Sequence, residues 1–136
     1  MPVQLLSPEN LMQPVPYHHV AIGTGSRQVH VAGQIARDAQ ARPLAPGDLA
    51  GQVAQALRNT GAGLTAAGAD FHDVVRLTFY VTQWTPEKAE DFMSGVESVA
   101  DELGMPRPLP PASLIGVADL FEPDVLVEVE AIAVLP

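Results

Sequence analysis

Apolar and polar residues alternate with a period of two in several stretches of this chain and recur at helical spacing in two others. From Tyr17 to Gln34 the runs HHVAIGT and QVHVAGQ flank Gly23-Thr24-Gly25-Ser26, which predicts a β-hairpin. In DVVRLTFYV, Val75, Leu77, Phe79 and Val81 alternate with Val74, Arg76, Thr78 and Tyr80, the clearest central strand. The terminal VLVEVEAIAV places Val125, Val127, Val129, Ala131 and Ala133 on one face, and Leu126, Glu128, Glu130, Ile132 and Val134 on the other. A short run, ASLIGV, lies between the proline cluster MPRPLPP and a turn through Phe121-Glu122-Pro123-Asp124. The proline-rich residues 1–16 suit a surface arm or a short edge strand.

Helical spacing replaces alternation after Asp48, which offers an N-cap to Leu49, Val53, Ala56, Leu57, Thr60 and Leu64. A helix over about 48–67 is predicted, weakened by Gly51, Gly61 and Gly63 and ended by Gly68. Thr85-Pro86-Glu87 combines an N-cap, a first-turn proline and an acid that complements the helix dipole. Ala89, Phe92, Met93, Val96, Val99, Ala100 and Leu103 then share one face until Gly104 and Pro106 close the helix. The order is ββαβαββ, an α+β fold with two one-sided helices on one face of a mixed sheet. The opposite, semi-apolar face needs a cover, and a neighbouring subunit is the simplest one.

Composition sharpens this picture. The 136 residues fit one unit spanning 1–136 without repeats. With 47% apolar residues, 17% charged residues and a mean hydropathy of +0.15, such a unit has difficulty hiding its apolar surface alone, so self-association is expected. A net charge of −9, a pI near 4.6 and seven scattered basic residues leave phosphate backbones nothing to bind, which disfavours nucleic acid. The absence of cysteine excludes disulfides, thiolate nucleophiles and zinc–cysteine sites. No signal-peptide pattern opens the sequence and no apolar run approaches the ~20 residues of a membrane span, so a soluble, cytoplasmic protein is expected.

Walker, dinucleotide-binding, HExxH, G-x-S-x-G and EF-hand patterns are all missing. His18 and His19 point to opposite faces if they lie on a strand, and His30 and His72 have no ligand partner at metal spacing; no metal is expected. Glu128 and Glu130 share one strand face, where burial demands a partner or water. One reading is an interstrand pair with Arg76; the other is a carboxylate at a pocket wall, with a pKa raised by desolvation, that positions or deprotonates water. Tyr17 is either an ordinary hairpin aromatic or a pocket lid with a hydroxyl to offer.

Pro16-Tyr17, Ala32-Gly33-Gln34-Ile35, DVVRLTFYV, Pro110-Pro111-Ala112-Ser113 and VEVEAIAV together resemble the Rid/YjgF family over nearly the whole chain. The resemblance implies a chorismate mutase-like (ferredoxin-like) subunit and a homotrimer whose sheets line a barrel, with three small-molecule pockets at subunit interfaces. It implies hydrolysis of reactive enamines and imines to a 2-keto acid and ammonia, with no cofactor. Carried over by position, Glu128 orients the water, while Tyr17 and the backbone around Gly33 and Leu114 line the pocket. Ala112 stands where family deaminases carry the arginine that clamps the substrate carboxylate, and Ala32 where many have a serine. Loss of that clamp would remove about 2–5 kcal/mol from carboxylate binding and change the substrate class. Arg107, five residues before Ala112, is either a substitute for that arginine or an exposed loop arginine. The alternative function is a non-catalytic small-molecule-binding trimer. A nuclease role sometimes attached to the family fits poorly with the acidic pI.

Overall fold

The computed structural model describes residues 2–136. Its elements are β1 (Val3–Leu6), β2 (Val20–Gly23), β3 (Arg27–Gln34), α1 (Leu49–Ala66), β4 (Val74–Thr82), α2 (Ala89–Leu103), β5 (Ala112–Val117) and β6 (Val127–Leu135). The order gains one strand over the expected ββαβαββ, because part of the proline-rich arm forms β1. A four-stranded sheet runs β3-β6-β4-β5, antiparallel except for the parallel β4–β5 pair, so the sheet is mixed as expected.

The expected hairpin is corrected. β2 pairs with β1 in a separate two-stranded ladder, while β3 pairs with β6. The three-residue connection, Thr24 to Ser26, turns a corner over the end of β6 instead of folding one strand back on the other. At that corner the amide of Thr24 donates to the carbonyl of Pro2 at 2.6 Å. A Cβ on Gly25 would collide with the Leu135 carbonyl, so a side chain is excluded there.

Both helices cover one sheet face. Asp48 caps α1 by accepting from the Gly51 amide at 3.0 Å. The α1 positions Val53, Ala56, Leu57, Thr60 and Leu64 are all buried, as their spacing predicts. In β6, Val127, Val129, Ala131 and Ala133 are buried against the helices, while Glu128, Glu130, Ile132 and Val134 remain half-exposed on the other face. α2 begins after a 3₁₀ turn at Pro86–Lys88; Thr85 is its N-cap by backbone conformation but makes no side-chain capping bond. α1 and α2 approach so closely that a Cβ on Gly95 would lie 2.5 Å from the Ala50 carbonyl oxygen.

Buried Gln52 joins the helix layer to the start of β6. Its amide nitrogen donates to the carbonyl of Asp124 at 3.0 Å, and its oxygen accepts from the Leu126 amide at 2.9 Å. Beside it, Arg37 grips Asp124 through both carboxylate oxygens at 2.8 and 2.9 Å and reaches Glu122 at 3.0 Å. These bonds hold the turn from which β6 starts, and therefore set where Glu128 sits. No helix among the described residues is long and apolar enough to cross a membrane.

Candidate functional site

Strand register decides which groups meet on the face opposite the helices. Glu128 lies opposite Tyr80, Glu130 opposite Thr78 and Ile132 opposite Arg76. The Tyr80 hydroxyl donates to Glu130 at 2.6 Å, and this bond, followed by burial, raises the phenol above its ordinary pKa. Of the two readings of these glutamates, the pair with Arg76 is thus replaced by a tyrosine partner for Glu130. Arg76 instead donates to the Ser113 hydroxyl at 2.6 Å on the parallel strand. Side chains on neighbouring strands bond where register and reach allow, and Arg76 points toward β5.

Gly33 and Glu128 come together. β3 bulges between Val31 and Gln34, and the half-buried Glu128 side chain lies directly over Gly33. A Cβ at that position would sit 2.6 Å from Glu128 Cδ and 2.8 Å from its Cγ, closer still to a carboxylate oxygen. The missing side chain makes room for the carboxylate.

Tyr17, Ala112 and Leu114 also come together, but elsewhere. Ala112 and Leu114 are level with the buried Leu77 and Phe79, so they face the helix side at the outer strand β5. Tyr17 is held over them by a bridge to Leu109: the His18 amide donates to the Leu109 carbonyl at 2.7 Å, and the Leu109 amide to the Pro16 carbonyl at 2.9 Å. Between this bridge, β5 and α2 lies a recess of about 220 Å³, whose walls include Trp84, Phe92 and Met93. The sequence-predicted residues therefore form two groups on opposite faces of one chain's sheet, Gly33 with Glu128 and Tyr17 with Ala112 and Leu114.

A family model described as endoribonuclease L-PSP matches residues 9–135. The chain belongs to this family, the Rid/YjgF family. The RutC family protein PH0854 of Pyrococcus horikoshii is 33% identical over 130 residues, covering 96% of each chain. A 2-iminobutanoate/2-iminopropanoate deaminase of Dermatophagoides farinae is 28% identical over 134 residues, covering 98% of each. Among solved structures, the Rid family protein YyfB of Yersinia pestis superposes with a TM-score of 0.87 at 33% identity, covering 99% of this chain and all of that one. The two-helix, mixed-sheet α+β fold is that of these Rid/YjgF neighbours.

Within this Rid/YjgF chain, Arg107 is already committed. It donates to Asp101 at 2.7 Å and to Glu97 at 3.0 Å on the outer side of α2, and these bonds raise its pKa. A guanidinium so engaged does not face the Ala112 recess. Arg76, by contrast, makes no ion pair among the described residues, although Arg37, Arg42, Arg58 and Arg107 all do. Ala32 is exposed on β3. Residues that sequence reasoning missed include Trp84 and Arg76's partner Ser113. The single tryptophan was the one available signal, since a lone large aromatic just past a strand often lines a pocket or an interface.

Proposed function

We propose that this Rid/YjgF chain hydrolyses a small reactive enamine or imine without a cofactor, and that its substrate class is altered because Ala112 replaces the carboxylate-binding arginine. The observation that carries the reading is the seat of Glu128: its carboxylate is held over Gly33, while the tyrosine hydroxyl on that face goes to Glu130. A carboxylate so placed can accept a proton from water as the water oxygen bonds to the imine carbon. The resulting carbinolamine takes that proton on nitrogen, its hydroxyl returns its own proton to the Glu128 carboxylate as the carbonyl forms and the C–N bond breaks, and ammonia and a carbonyl compound leave. Similarity to a named 2-iminobutanoate/2-iminopropanoate deaminase over 98% of the chain supports the reaction type.

The working form in this reading is a cytoplasmic homotrimer of one-domain chains, 1–136, with pockets at the interfaces. Ile115, 43% exposed, and the half-buried Ile132 lie on the helix-free face, which a neighbouring subunit would cover. Such a neighbour could also bring its Glu128 to the Tyr17, Ala112 and Leu114 recess at the β5 edge, uniting the two groups that one chain keeps apart.

The test is ammonia release from freshly generated imines, charged and uncharged, by the wild type and Glu128→Gln, with light scattering on both. The expected result is turnover of uncharged imines, lost in the variant, from a particle three times the 14.4 kDa chain mass. A stable monomer, or equal rates for both proteins, would sink the proposal. A non-catalytic binding trimer is the second reading, favoured by the uncharged lining of the recess; absence of turnover on every imine together with retained ligand binding would select it.

A further inference from the structure

We infer that the recess beneath Tyr17 binds an uncharged, ring-sized apolar group, so that the ligand of this chain carries an aromatic or branched aliphatic side chain. That this ligand is a substrate rests on the hydrolase reading above; the chemistry of the recess does not.

Size is the first argument. An apolar cavity of roughly 150 Å³ accepts benzene, and the recess encloses about 220 Å³, enough for one ring with a short substituent. It is a half-open pit between β5, α2 and the Tyr17–Leu109 bridge, too small to seat a helix or a strand.

The walls are the second. Trp84 meets Phe92 edge to face at 6.2 Å and 86°, and Phe92 meets Phe79 at 4.9 Å and 86°, so the aromatic rings brace one another before any ligand arrives. Met93 supplies an adaptable side. With only a methyl group, Ala112 leaves the floor open.

Charge is the third argument. No charged side chain lines the recess. The Ser113 hydroxyl turns to Arg76 on the other sheet face, leaving the Tyr17 phenol as a neutral handle. An anion entering would lose its hydration without gaining a counter-charge. The −9 charge of the chain also repels it at a distance.

Because Trp84 is the only tryptophan and lines the recess, its emission reports occupancy. The full chain is titrated with benzyl alcohol and with phenylacetate, which present the same ring without and with a carboxylate. Saturable quenching by benzyl alcohol is expected, with phenylacetate at least ~tenfold weaker. Ala112→Phe, which places a benzyl group on the floor, should abolish the response while keeping the wild-type circular dichroism spectrum. The inference is overturned by equal affinities for the two probes, by no saturable response, or by a folded Ala112→Phe chain that still binds; a response blocked because a neighbouring subunit's side chain fills the recess counts against it. If that variant fails to fold, the probe pair on the wild type decides alone. Benzyl alcohol binding without turnover of any imine upholds the recess and removes the hydrolase reading. Imine turnover without preference for the neutral ring does the reverse.

Discussion

Replacing Gly33 with alanine separates positioning of Glu128 from folding. The backbone at Gly33 is not in the left-handed region, so alanine can adopt it. Its new Cβ would start 2.6 Å from Glu128 Cδ and closer still to a carboxylate oxygen, whereas ordinary contact begins near 3.4 Å, so the carboxylate must withdraw by more than about 0.9 Å. The obstacle is the end of a flexible side chain, and an off-rotamer adjustment costs about 0.5–1.5 kcal/mol. Lower unfolded-state entropy of alanine offsets about 0.4–1 kcal/mol of that, leaving stability within about 1 kcal/mol of wild type. A misplacement approaching 1 Å in a reacting group can lower the rate ~100-fold, or about 2.7 kcal/mol in the barrier. The assay pairs steady-state ammonia release, on the imine the wild type turns over fastest, with thermal unfolding. A ~100-fold fall in kcat with KM and Tm little changed is expected. A Gly33→Ala protein with wild-type kcat would refute the positioning argument, and one that loses activity only in proportion to a large fall in Tm would reduce it to a folding defect.

Three further outcomes follow from the same contacts. Gly95→Ala should behave in the opposite way: its Cβ meets backbone, the Ala50 carbonyl at 2.5 Å, so denaturant unfolding should show a loss of about 1–3 kcal/mol. Gln52→Leu leaves the Leu126 amide and the Asp124 carbonyl without their buried partner and should cost about 2–4 kcal/mol by urea titration, an unchanged midpoint being the refuting result. Hydrogen bonds from Arg37 to Asp124, from the Arg42 backbone to Asp38 and from Arg58 to Glu102 hold these carboxyls below their ordinary range. Each binds its proton more weakly folded than unfolded. Their contribution is therefore complete above the unfolded range near pH ~4 and disappears as pH falls through the lower folded values. Tm should hold above that range and decline below it, less steeply in Arg37→Met; identical slopes would show that Asp124 does not contribute.

The sequence alone determined most of which side chains share a face, the exception being the start of β4, where an irregularity before Arg76 brings Val74 rather than Val75 into the core. In VEVEAIAV the two-residue period sends Val127, Val129, Ala131 and Ala133 to the core and Glu128 and Glu130 to the other side, and the helical spacing after Asp48 places Leu57 and Leu64 inward. These assignments follow from local backbone geometry, which needs no knowledge of neighbours. The VEVEAIAV and AGQI segments likewise made the family legible. Partnerships were decided only in three dimensions. Register set Tyr80 opposite Glu128, yet side-chain reach took its hydroxyl diagonally to Glu130 and Arg76 to Ser113. The corner over β6 sent β2 to β1. Acids on α2 claimed Arg107, and the meeting of α2 with β5 built a recess around Trp84. Each depends on which distant segments become neighbours, and a linear pattern cannot encode that because side-chain reach is set by strand order, crossing geometry and the few ångströms that separate packed elements.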